Sequence, residues 1–308
     1  MSTELASASS ARLLVNFLNV RFEAAFAPPQ VAGDAFISSD GGHTIGIYVA
    51  QLWEEDDAWN AQLAKMESRL NGGEGSFLLW VPPRAMVPSE EPDASDFVQR
   101  VQTGVSSLPE DARTEVPFPV TLKLVKTREE GGYASVIGGL SRWWTRITEN
   151  VNGTFHVNST AIHRLTLDGE TRERLWTDIG SLSRGLDLGQ SAEFDVDDSW
   201  TLQRLHDSDS ISGVAIIAAP PNIDPSDGIL VRRNVRTRLA AANEALDALD
   251  IDMRVVGLIG NYEYGELETA GATIKAVNAD LFNRLEVVSI LADGDVRPTF
   301  LPKVLPWS

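Results

Sequence analysis

The chain has no cysteine. That removes disulfides, thiolate zinc sites, iron–sulfur ligation and thiol nucleophiles together, and it fits a cytoplasmic protein. No apolar run approaches the ~18 residues a membrane-spanning helix needs. The first ten residues have no basic stretch ahead of an apolar one, so a short mobile leader is expected there and not a secretory signal. The Asn-x-Thr sequons at Asn152 and Asn158 are then chance matches. Lysine is scarce, 5 residues against 21 arginines, a bias that GC-rich coding explains wherever the arginines do not cluster. Positive charge is short as a whole: 26 basic against 44 acidic residues, a net charge of −18. Such a chain repels nucleic acid on average, so a nucleic-acid contact would need a local basic patch.

Short catalytic motifs are missing too. There is no Gly-x-x-x-x-Gly-Lys-Ser/Thr loop, dinucleotide fingerprint, Gly-x-Ser-x-Gly elbow or His-Glu-x-x-His pair. Enzymes that use scattered residues are not excluded by this.

What is present is an alternation of apolar runs and helical periods. Gly213–Ala219, Met253–Ile259 and Leu285–Leu291 are apolar runs, separated by amphipathic segments at Ile229–Leu249 and Glu268–Arg284. This predicts a β-α-β-α-β unit with parallel strands buried on both faces. Earlier in the chain, Asp34–Ser39 and Thr44–Ala50 read as a hairpin across Asp40-Gly41-Gly42. Gln51–Leu70 reads as a helix, Ser76–Val81 as a buried strand and Ser95–Ser107 as a helix. Val116–Lys126 is a strand that Tyr133–Ile137 would rejoin antiparallel. Ala11–Phe26 leads as a helix. Leu140–Val151, with Trp143-Trp144, and Thr171–Leu186 read as helices, and Asp207–Ser210 as a linker. The fold class is therefore α/β, with two α/β halves of largely parallel or mixed sheets and a mainly helical middle. The expected divisions are residues 1–137, 138–210 and 211–308.

Three constellations carry chemistry. In open α/β sheets ligands bind beyond the carboxyl ends of the strands. The loops there offer Asn222, Asp224 and Asp227, then Asn261, Glu263 and Glu266, then Asp293 and Asp295. Oxygen ligands of this kind suit Mg²⁺ or Mn²⁺, although acids are common throughout this chain. The basic cluster Arg232, Arg233, Arg236 and Arg238 starts the 229–249 helix. Val231, Val235, Leu239, Ala242, Leu246 and Leu249 form that helix's buried stripe, so Arg232 and Arg236 share an exposed ridge fit for a phosphate or an acidic partner. The tail from Arg297 to Ser308 has prolines at 298, 302 and 306, which forbid a helix. Phe300, Leu305 and Trp307 would pack on the body or dock on a partner. His156 and His163 are seven apart, but the turn signals between them leave their rings without a predictable relation.

The functional expectation is a non-catalytic cytoplasmic binding or scaffold subunit of a larger assembly. It needs no cofactor, its partner is another protein, and it has no membrane contact. The alternatives are a Mg²⁺- or Mn²⁺-dependent phosphoesterase or nuclease using the loop carboxylates, and a nucleotide- or sugar-binding module at the same strand ends.

Overall fold

A computed structural model describes residues 2–70, 75–138, 141–147, 152–158, 169–206, 212–224, 227–260, 264–276, 281 and 284–308. For residues 2–3, 136–138, 141–147, 158, 171–172, 264–267 and 276 it describes the backbone alone. In chain order the elements begin α1 (Ser2–Phe22), β1 (Gln30–Ala32), β2 (Ala35–Ser39), β3 (Thr44–Gln51), α2 (Asp57–Leu70), β4 (Ser76–Trp80) and α3 (Asp93–Ser107). Then come β5 (Arg113–Arg128), β6 (Gly132–Gly138), β7 (Ser141–Ile147), β8 (Gly153–Asn158), α4 (Gly169–Ser183) and β9 (Ser191–Leu205). The last are β10 (Gly213–Ile217), α5 (Gly228–Asp247), β11 (Met253–Ile259), α6 (Tyr264–Ala276), β12 (Val287–Ala292) and β13 (Asp295–Phe300). Helices interleave with mixed sheets, which is an α/β fold. The chain forms two compact units, Met1–Thr114 with Thr201–Ser308, and Glu115–Trp200.

The first unit is built around α1. Through its middle this helix has no exposed face: residues 9–15 are all buried. A helix of that kind must be enclosed on every side. On one side lies a six-stranded sheet in the order β1-β2-β3-β11-β12-β13, parallel through β3, β11 and β12 and antiparallel at both ends. Strand alternation sends Ile45, Ile47, Val255, Ile259, Val287 and Leu291 inward onto Leu14, Val15 and Leu18. The alternate residues Val256, Leu258, Val288 and Ile290 point outward onto Val231, Val235, Leu239 and Leu246 of α5. On the other side of α1, Leu78 and Trp80 of β4 with Ala215 and Ile217 of β10 join the same core. There β10 runs parallel to β4, and β4 pairs antiparallel with Thr201–Leu205 of β9. The outer edge of β10 is closed by α2. Buried Glu67 accepts the Ile216 N–H at 2.8 Å, and Trp59 Nε1 donates to the Ala218 carbonyl at 3.0 Å. This satisfies backbone groups that an edge strand would otherwise leave open.

In the second unit the strand order is β9-β5-β8-β6-β7. Leu122, Leu124, Phe155 and Val157 face α4, where Leu175, Trp176 and Ile179 cover them. Lys126 is buried on that face and its ammonium pairs with Glu129 at 2.8 Å.

Several expectations change. The runs at 213–219, 253–259 and 285–291 do not share one sheet: β10 pairs with β4, whereas β11 and β12 lie beside β3. An apolar run reports burial on both faces but not the identity of its neighbour. For the same reason the amino- and carboxyl-terminal halves are interleaved within one unit. The middle is not mainly helical. It contributes β7, β8, α4 and β9, and β7 covers the Trp143-Trp144 stretch read as helix. Strand β6 rejoins β5 only through β8, which lies between them and runs parallel to β6. The leader is not mobile: Ala6, Ser9 and Ser10 are buried in α1. The linker at 207–210 lies outside the described residues.

Candidate functional site

The three carboxylate loops begin on strands of two different sheets. After β10, Asp224 accepts Arg84 Nη2 at 2.9 Å. Arg84 follows β4 and Pro82-Pro83 with a φ of 64°. Asp227 caps α5, its Oδ1 accepting the Ile229 N–H at 2.9 Å and the Leu230 N–H at 3.2 Å. Asn222 is exposed. After β11, Asn261 and Glu263 lie outside the described residues, and Glu266 is described by its backbone in α6 alone. After β12, Asp293-Gly294 is a two-residue hairpin turn into β13, with φ values of 51° and 78°. Positive φ at both central residues is the geometry that matches strand twist, and Asp-Gly suits it. Asp293 is buried. Asp295 accepts Arg113 Nη1 at 2.7 Å and lies 3.6 Å from Arg297. Among the described residues no group of three or more His, Asp or Glu side chains is placed to share a metal ion.

The arginines of α5 divide into two pairs. Arg238 donates from Nε to the Gln51 carbonyl and from Nη2 to the Trp53 carbonyl, both at 3.1 Å. Buried Asn234 donates to the Leu52 carbonyl between them at 2.9 Å. Arg233 pairs with Glu54. These three residues hold the segment that follows β3. Arg232 and Arg236 are exposed, and neither makes an ion pair among the described residues.

The tail folds back onto the first unit. Phe300 ends β13, Leu305 is buried in the core around α1, and Trp307 packs against that core. Trp307 stacks on His43 of the β2–β3 hairpin and meets Phe26 edge-on, centroids 6.2 Å apart. In the hairpin turn Asp40 accepts the Gly42 and His43 N–H groups at 3.0 and 2.9 Å, and these bonds hold its carboxyl below the usual aspartate range. His156 lies on β8, 3.4 Å from Ser135 Oγ, and His163 lies outside the described residues. His206 is placed 3.3 Å from Glu110 and 3.5 Å from Asp111.

The buried polar groups that sequence patterning does not single out include Glu67 and Arg12. Arg12 is only 6% exposed, and its Nε has no hydrogen-bond partner among the described residues. Burial pulls its pKa below the usual arginine value, and Asp111 partly opposes this. No sequence signal gave this away, because Ser9, Arg12, Asn16 and Asn19 recur at helical spacing as an ordinary polar stripe.

No protein-family model, curated protein or solved structure matches the chain.

Proposed function

We propose that this chain is a non-catalytic binding subunit of a larger protein assembly, working in the cytoplasm and engaging its partner through the outer ridge of α5. The observation that carries this reading is the division among the α5 arginines. Arg233 and Arg238 are used by the protein's own loop, while Arg232 and Arg236 stand in solvent on a chain of net charge −18. With acids this abundant, two neighbouring exposed cations that make no ion pair among the described residues are suited to an acidic surface on another molecule. The strand-end carboxylates Asp224, Asp227 and Asp295 meanwhile have partners in the fold itself.

The test is native mass. The tagged chain, expressed at its natural level in its own cells, should migrate in a complex heavier than its 33.5 kDa. Arg232→Glu with Arg236→Glu should free it from that complex without changing its melting temperature. Migration of the wild type alone would overturn the reading. So would Mn²⁺-dependent hydrolysis of bis(p-nitrophenyl) phosphate that Asp224→Ala abolishes, a result that would promote the metal-dependent phosphoesterase.

A further inference from the structure

The ridge does not stand alone on its surface. Helical spacing places Ile229, Arg232, Arg233 and Arg236 on one stripe of α5, and Ile229, at its start, is 75% exposed despite being apolar. Beside this stripe runs the acidic segment Glu54-Glu55-Asp56-Asp57, exposed along its whole length. Arg233 reaches Glu54 and so joins the two. Their relative placement is fixed, because Arg238 and Asn234 bind the three carbonyls just before Glu54. Asp56 turns inward to accept the Trp59 N–H at 3.0 Å, whereas among the described residues no side-chain hydrogen bond or ion pair engages the carboxylates of Glu55 or Asp57.

A patch with a positive half and a negative half side by side is its own complement under a two-fold rotation. Resting on the reading of the α5 ridge as a binding surface, we propose that its partner is a second copy of this chain. The two copies would be related by a two-fold axis, each copy's Arg232 and Arg236 facing the other's Glu55 and Asp57. Charge selects this occupant. A phosphate backbone arriving at the ridge would be repelled by the adjoining acidic run, while a second copy presents both signs in the required order. At a net charge of −18 most faces of the chain repel their copies, so this mixed patch is where attraction can win. Contacts of this kind are screened by salt.

Sedimentation equilibrium of the purified full chain tests it. The wild type should show twice its 33.5 kDa at low salt and shift toward single mass as sodium chloride is added. Arg232→Glu with Arg236→Glu should be monomeric, as should Glu55→Arg with Asp57→Arg. An equimolar mixture of the two variants should recover the doubled mass, since each presents what the other lacks. That rescue also excludes misfolding as the reason for dissociation. A wild type that stays at single mass at low salt overturns the dimer, as does a doubled mass that survives either reversal. If the wild type is monomeric yet the arginine reversal still strips a heavier complex in cell extract, the homodimer fails and the binding-subunit reading stands. If the reversal changes neither, both fail.

Discussion

The imidazole of His43 stacks on the indole of Trp307, centroids 4.2 Å apart and planes within 9° of parallel. One ring comes from the β2–β3 turn, the other from the penultimate residue, so the contact ties the tail to the first unit's sheet.

Removing the tail should therefore cost stability. Leu305→Ala should cost about 2–3 kcal/mol, the low end for a buried leucine because the segment is short and can relax. Trp307→Ala forfeits a stacking contact of about 0.5–1.5 kcal/mol as well as buried area. Deleting Pro302–Ser308 should lower the melting temperature by more than either substitution. Calorimetry decides it: an unchanged melting temperature after deletion would show that the tail contributes nothing to the fold.

At Gly257 the six-stranded sheet leaves no room for a side chain against α1. A methyl group there would lie 2.5 Å from Leu14 Cδ1 and 3.2 Å from Leu291 Cδ1. Gly257→Ala should cost about 1–3 kcal/mol by overpacking. Leu14→Ala should cost about 2–5 kcal/mol through its cavity. The double variant should lose clearly less than the sum, because the new methyl enters the space vacated. Additive losses in urea denaturation would show that the two positions do not meet.

The α5 arginines should separate by role. Arg238→Ala removes donors to two carbonyls and should cost about 1–3 kcal/mol, with faster amide exchange in the segment after β3. Arg232→Ala and Arg236→Ala should each stay within about 0.5 kcal/mol. Equal effects at all three positions would contradict the division described above.

Acid should act on the β2–β3 turn through Asp40. Its folded pKa is depressed chiefly by the N–H groups of Gly42 and His43. A depressed carboxylate stabilises above its unfolded pKa, near ~3.9, and that stability is lost as pH falls through the lower folded value. Asp40→Asn keeps an oxygen acceptor but cannot titrate. The wild type should thus lose melting temperature faster than Asp40→Asn as the solution is acidified from about pH 5 to about pH 3. Parallel curves would remove Asp40 from the acid response.

Much of the architecture could be read in advance where periodicity and turn chemistry agree. Val231, Val235, Leu239, Ala242 and Leu246 are the buried face of α5, as their spacing requires. The hairpin at Asp40-Gly41-Gly42 and the strand closed by Pro82-Pro83 followed from local rules. The partner of β10 did not, since an apolar strand matches any buried neighbour. Nor did β7: in Ser141–Ile147 two adjacent tryptophans obscure a period of two. Asp293-Gly294 is a strong turn pair, and that turn, not oxygen ligation, is the role its geometry shows. The α5 site was half legible. Spacing placed Arg232 and Arg236 outside, but the use of Arg233 and Arg238 depended on a segment far away in sequence.

That distance has a consequence during synthesis. The Thr44 N–H at the start of β3 bonds to Asp252 Oδ2, 208 positions later. At roughly 5–20 residues per second, the ribosome needs about 10–40 s to supply β11 after β3 has been made. For that interval the largely apolar strand β3 has β2 on one side and nothing on the other, and α1 lacks the part of its enclosure that β11 and β12 supply. Newly made chains are thus exposed to aggregation until β11 and β12 have been made, and the yield of folded protein should depend on holdase chaperones more than its final stability would imply.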